Sequence, residues 1–178
     1  MAENKTPRDR LYSRWGALKN ERSSYMSHWK EISDYLLPRS GRYFVNDRNR
    51  GERRHNNIYD NTGTRALRVL GAGLMGGATS PARPWFRLAT ADPDLMDYMP
   101  VKLWLSAVQR QMLDIFQRSN TYRSLHSMYE EIGAFGTGAA VMMDDFDEVI
   151  RHHVLTAGEF AIATDYRGNV TTMYREFQ

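Results

Sequence analysis

Residues 69–86 read VLGAGLMGGATSPARPWF, and the fold turns on how that stretch is taken. Gly71, Gly73 and Gly76 match the G-x-G-x-x-G spacing of a dinucleotide-binding turn. Such a turn needs a β-strand ahead of its first glycine and several turns of helix behind its third, so that a helix N-terminus meets the pyrophosphate. Here the preceding TRALRV follows helical spacing, and Pro81 and Pro84 arrive five and eight residues after Gly76. Asp92, where a ribose-binding acid would fall, lies within ADPD, a turn. The stretch is therefore expected to coil as a helix, opened by Asp60 or Thr62 and stopped by Pro81. Ala66, Leu67, Leu70 and Leu74 would form its apolar face. Gly71, Gly73, Gly76 and Gly77 would then let another backbone approach closely, at a cost of about 1 kcal/mol each in helix propensity.

The surrounding chain has 178 residues, 42% hydrophobic and 25% charged, the make-up of one globular domain or one domain with an appendage. No run of about eighteen apolar residues is present to span a membrane. The opening MAENKTPRDR lacks the apolar stretch of a secretory signal. With no cysteine, there is no disulfide framework or thiolate metal site, which suits folding in a reducing cytosol. The formal net charge of +3 is unevenly spread: residues 1–54 hold thirteen Lys/Arg against seven Asp/Glu, residues 55–178 eleven against fourteen. A basic first third on a mildly acidic body points either to an anionic partner or to a solvated basic surface.

Periodicity divides the chain into four regions. Over residues 1–38, Leu11, Trp15, Leu18, Tyr25, Met26, Trp29, Ile32 and Leu36 recur at helical spacing. They predict one long amphipathic helix of about 45 Å, with Thr6 as N-cap, Pro7 at its first position, Asp9 completing a capping box and Pro38 ending it. Residues 39–59 form an aperiodic loop with six arginines. Residues 60–135 are expected to be helical apart from a short strand-like PWFRLAT (84–90) and the turn-rich ADPDLMDY. One helix in this region carries Val101, Trp104, Leu105, Val108, Met112, Ile115 and Phe116. The next, opened by Asn120 or Thr121, carries Leu125, Met128, Tyr129 and Ile132. Residues 136–178 alternate in short β-prone runs, Ala140–Met143, Val149–Leu155, Phe160–Thr164 and Val170–Phe177. They predict an antiparallel meander that continues past residue 178. The fold class is α+β, helices followed by a small antiparallel sheet.

The order of these features resembles the N-terminal portion of the head-to-tail connector (portal) proteins of short-tailed bacteriophages. HWKEISDYLLP with Trp29 ahead of Pro38, and Tyr59-Asp60 opening the glycine-rich helix, carry the likeness first. Thr79-Ser80-Pro81 followed by Trp85-Phe86, and Phe135-Gly136-Thr137-Gly138 ahead of the strands, complete it. The resemblance spans nearly the whole chain. It implies a portal wing-like fold and a structural subunit of a ring, dodecameric in this family, at one capsid vertex. The ring gives viral DNA a channel and docks the packaging motor (terminase). It also meets capsid, scaffold and tail adaptor proteins, in a virion assembled in the host cytoplasm. Family members run well beyond 178 residues and carry their tunnel-lining helices further along, so this segment is expected in the outer wing.

Candidate contact residues follow. Arg39, Arg42, Arg48, Arg50, Arg53 and Arg54 could grip phosphate or carboxylate with their forked donors, with Tyr43 and Phe44 between them to stack on bases or on a protein surface. They suit either a subunit-bridging loop or DNA contact. Gly71, Gly73, Gly76 and Gly77 are assigned to helix packing, and Pro81, Trp85 and Phe86 to a structural role. Asp144, Asp145, Asp147 and Glu148 lack EF-hand spacing and read as a polar hairpin turn. His152 and His153, adjacent in a strand, point to opposite faces and cannot hold one metal. His28, His55 and His126 have no partner at ligand spacing, and no serine sits in a nucleophile elbow. No catalytic residue, cofactor, metal or membrane partner is expected. Two rival readings are a nucleotide-cofactor enzyme, which requires a parallel sheet, and a stand-alone basic DNA-binding module, which requires steeply salt-dependent affinity.

Overall fold

A computed structural model describes residues 6–38, 40 and 58–175. Among the described residues six helices precede four strands: α1 (Pro7–Ser23), α2 (Met26–Leu36), α3 (Thr62–Ala78), α4 (Pro93–Asp97), α5 (Met99–Arg118), α6 (Thr121–Phe135), β1 (Ala139–Asp145), β2 (Val149–Leu155), β3 (Phe160–Thr164) and β4 (Val170–Arg175). The expected α+β class, helices first and antiparallel strands after, is what the chain adopts.

The N-terminal segment forms two helices where one was expected. The capping box is present, with the Thr6 hydroxyl accepting from the Asp9 amide (3.3 Å) and the Asp9 carboxylate accepting from the Thr6 amide (3.1 Å). Seventeen residues later the ladder changes register. The Ser23 and Ser24 hydroxyls donate to the Asn20 and Glu21 carbonyls at 2.6 and 3.0 Å, and the Tyr25 amide bonds the Arg22 carbonyl, three residues back. Serine side chains that compete for backbone acceptors in this way weaken a helix interior. The apolar stripe is also shorter than its spacing suggests, because Leu18 is buried while Leu11 is exposed.

The glycine-rich stretch lies inside α3, and among the described residues no strand precedes it. Asp60 steadies its start by accepting from the Thr62 amide at 3.2 Å, and the helix ends at Ala78, two residues ahead of Ser80-Pro81. Its buried stripe runs through Leu67 and Gly71 to the capping Thr79, rotated from the expected Ala66–Leu67–Leu70–Leu74 face. The cause is α6, which packs so close that its partner positions must be small. A Cβ on Gly71 would meet Glu130 Cγ at 3.1 Å, and one on Gly133 would meet Leu70 Cδ2 at 2.9 Å and Leu67 Cδ1 at 3.0 Å. The Thr79 hydroxyl and Tyr129 Oη close the far end of this pair at 3.0 Å.

Helix α6 is the hub, touching α2, α3, α5, β1 and β2. It ends at Gly136, whose φ of 72° suits the left-handed C-cap and whose amide bonds the Ile132 carbonyl. The strands pair antiparallel as two separate hairpins, β1 with β2 (Ala139 opposite Leu155 through Asp145 opposite Val149) and β3 with β4. The strand-like PWFRLAT adopts no strand. It runs as an irregular strap held by Trp85, Phe86 and Phe116, whose rings lie 4.8–6.2 Å apart, and by Trp85 Nε1 donating to Tyr122 Oη at 3.4 Å.

The first helix meets the last two strands. Arg22 on α1 donates to the Gly158 and Phe160 carbonyls at 2.6 and 3.2 Å, Trp15 stacks on Tyr174 at 5.6 Å, and Arg14 donates to Thr171 at 3.2 Å. Among the described residues the core is thin. The buried apolar side chains are Leu18, Leu67, Leu105, Leu155, Ala157 and Phe160, of which only Leu155 is fully enclosed.

The two kinds of glycine in α3 should behave oppositely. Gly71→Leu should cost about 1–3 kcal/mol by overpacking against α6. Gly73→Leu, with nothing within 4 Å of its added Cβ, should be neutral or slightly stabilising, by up to about 0.8 kcal/mol of helix propensity. Urea unfolding of the two variants checks this difference.

Candidate assembly surfaces

A solvated helix keeps its polar residues on the side away from the core, and α3 does so only in part: Arg65 and Arg68 are exposed, but apolar residues stand beside them. Opposite its buried stripe lie Arg65, Ala66, Val69, Gly73 and Gly76, all exposed, with Gly77 beside them. Val69 is 67% exposed and Leu70 47%, and added Cβ atoms on Gly73, Gly76 and Gly77 would meet nothing within 4 Å. The four glycines assigned to packing thus divide. Gly71 serves packing within the chain, whereas Gly73, Gly76 and Gly77 line a smooth, outward apolar strip. Their shared spacing gave no sign of this division, because only the position of α6 separates them.

Pro81, Trp85 and Phe86 lie together after α3. The Pro81 carbonyl accepts from Gln117 Nε2 at 3.4 Å, and the two aromatic rings pin the strap to α5. The strap and α5 enclose a groove of about 710 Å³, floored by Trp85, Phe86, Leu88 and Leu105. Trp104, expected among the apolar residues of α5, is exposed, as are Tyr98, Met99 and Leu103. Arg39, Arg42, Arg48, Arg50, Arg53 and Arg54, with Tyr43, Phe44 and His55, lie outside the described residues.

The acidic stretch is the tip of the first hairpin. Asp145 accepts from the Asp147 and Glu148 amides at 2.9 and 3.1 Å, and these bonds hold its carboxyl below the usual carboxylate range. Val149, at φ 71°, sits in a left-handed conformation rare for a β-branched residue. The strand pattern correctly placed the neighbouring histidines on opposite faces, His152 half-buried and His153 exposed. Asn120 secures the hairpin base: its amide donates to the His152 carbonyl and accepts from the His152 amide, both at 2.8 Å. Among the described residues no group of three His, Cys, Asp or Glu is placed to hold a metal ion, and no helix is long and apolar enough to cross a membrane.

Glu131 is the residue that sequence reasoning missed. It is 6% exposed, accepts from the Thr156 hydroxyl (3.1 Å) and the Ala157 amide (3.4 Å), and takes a further hydrogen bond from Ser40. The Ser40 carbonyl in turn accepts from the buried Ser33 hydroxyl at 2.7 Å. One carboxyl therefore ties α6 to the link before β3 and to the segment that leaves α2. Its acidic neighbour Glu130 gave no cue, since EE on a helix reads as a solvated pair.

Burial raises the Glu131 pKa above its ordinary value of 4.5, and the nearby Glu159 charge adds to the rise. The folded state then holds a proton that the unfolded chain has released. The stability this contributes is complete below pH 4.5 and is lost as pH rises through the folded pKa. Glu131→Gln should remove that decline, so urea midpoints measured from pH 4.5 to about 8 should fall in the wild-type chain and stay flatter in the variant.

Comparison with known proteins places this arrangement. The family described as "Bacteriophage head to tail connecting protein" matches residues 8–178. A "Probable portal protein" of Bordetella phage BPP-1 is 68% identical over 178 residues, covering 100% of this chain and 32% of the relative. A "Portal protein" of Salmonella phage epsilon15 is 50% identical over 177 residues, covering 99% of this chain and 32% of that relative. The chain spans about a third of the length of these relatives. With the match running from α1 through β4, the chain belongs to the bacteriophage head-to-tail connecting protein family.

Proposed function

We propose that this chain is part of a structural subunit of a phage portal, a closed ring that gives DNA a channel through one capsid vertex. The observation that carries the reading is the family match over residues 8–178, with two portal proteins among the relatives. The geometry is in keeping with it. A thin core and apolar side chains left open on α3 and α5 suit a subunit that completes its burial against neighbours.

In this reading α3 does two jobs. Its Gly71 side sets the angle to α6, and its outward strip of Ala66, Val69, Gly73 and Gly76 lies against the next subunit at backbone distance. The two together define the wedge angle and hence how many copies close the ring, twelve if the family resemblance holds. Arg39, Arg42, Arg48, Arg50, Arg53 and Arg54 contact acidic side chains of a neighbour, or the phosphates of DNA. The packaging motor, capsid or scaffold proteins and a tail adaptor are the further partners, with ATP hydrolysis left to the motor and the assembled ring residing in the virion.

Gly73→Leu tests the α3 strip directly, because that substitution leaves the isolated subunit folded. In the full natural polypeptide it should shift the copy number or abolish closed rings in negative-stain images and native mass spectra. Unchanged rings would remove the strip from the contact.

A further inference from the structure

Two features of the subunit complement each other and are used by nothing described above. The first is the tip of the β1–β2 hairpin. Phe146 is fully exposed there, an aromatic ring in contact with solvent on all sides. Asp144, Asp147 and Glu148, all exposed, surround it. The turn holding the ring is fixed by the two amides that Asp145 accepts, so little ordering remains to be done when the ring is bound.

The second feature is the groove between the 84–90 strap and α5. Trp85, Phe86, Leu88, Met96 and Leu105 give it an apolar side, and Ser106 and Gln109 add polar groups. Its rim is basic: Arg87 is exposed and, among the described residues, has no acidic partner, whereas Lys102 is already paired with Asp97 at 3.2 Å. The strap also has hydrogen-bonding capacity to spare. Among the described residues, the amides and carbonyls of residues 84–89 make no backbone–backbone hydrogen bond.

We propose that Phe146 at the hairpin tip of one subunit seats in the strap–α5 groove of a second copy of this chain, with the tip carboxylates meeting Arg87. An acidic knob with one aromatic ring and a basic rim over an aromatic floor are matched in both charge and polarity. They are two different surfaces of the same molecule. A contact between them is head-to-tail, the class that generates rings when its rotation closes. A buried aromatic anchor flanked by rim charges is also how interface energy is usually concentrated. The inference rests on the ring reading and adds to it which two surfaces meet.

The full natural polypeptide carrying a benzophenone amino acid in place of Phe146 provides the test. Irradiation of the assembled protein should yield intersubunit cross-links to residues 84–90, Met96 or the first half of α5, read by peptide mass spectrometry. Phe146→Ser and Arg87→Glu should each raise the subunit concentration for half-assembly, the former about thirtyfold. Circular dichroism should be unchanged in both, since each side chain is exposed. Mixed together, the two variants should yield pairs, because one intact tip and one intact groove remain. Rings with cross-links elsewhere on a neighbour, on a different protein or nowhere overturn the contact and leave the ring reading standing. So does wild-type assembly by both variants. A wild-type chain that stays monomeric at every concentration overturns the ring reading and this contact with it.

Discussion

The close approach of α3 and α6 is the constraint on which the rest of the subunit depends. Gly71 admits Glu130 and Gly133 admits two leucines, so each helix supplies the small residue that the other needs. Each large side chain at the crossing lies over a glycine of the other helix, so the two helices pack closely without a thick core between them. Helix α6 then serves as the frame for α2, α5 and the first hairpin. Substituting a bulkier residue at the crossing would move every element that α6 positions.

Outside this pair the elements are fastened by single polar hooks. Asn120 grips the His152 backbone, Glu131 grips Thr156, Ala157 and Ser40, and Arg22 grips the turn before β3. Each hook spans elements far apart in sequence and is at least partly shielded from water, where leaving one of its polar groups unpaired would be costly. Such fastening orients elements well but buries little apolar area. The exposed apolar side chains of α3 and α5 are what such fastening leaves uncovered.

Surfaces left over by folding also suit the proposed ring. The outward strip of α3 is apolar beside the exposed Arg65 and Arg68, whereas the hairpin tip is acidic and the strap groove has a basic rim. Self-association through unlike surfaces leaves each copy with one unused partner of each kind, and only closure satisfies both. Charge sets the direction of that association, and apolar contact supplies its strength.

How much of this was legible in the sequence differs from element to element. Local chemistry determined the helix start after Thr6 and, within a residue or two, the one at Asp60 or Thr62, the helical state of the glycine stretch, the α+β order and the antiparallel hairpins, because caps, prolines and periodicity act within a few residues. The split of the first helix at Ser24 was hidden, since it hangs on where two serine hydroxyls find acceptors. PWFRLAT has the composition of a strand yet forms none, as a strand exists only with a hydrogen-bonded neighbour. By itself, then, the sequence determined the local conformations and the family likeness. Only the tertiary structure decided that Gly71 faces inward and Gly73 outward, that Glu131 is buried, and that the first helix meets the last strands. Those facts depend on which distant segment lies alongside, and residue spacing carries no record of it.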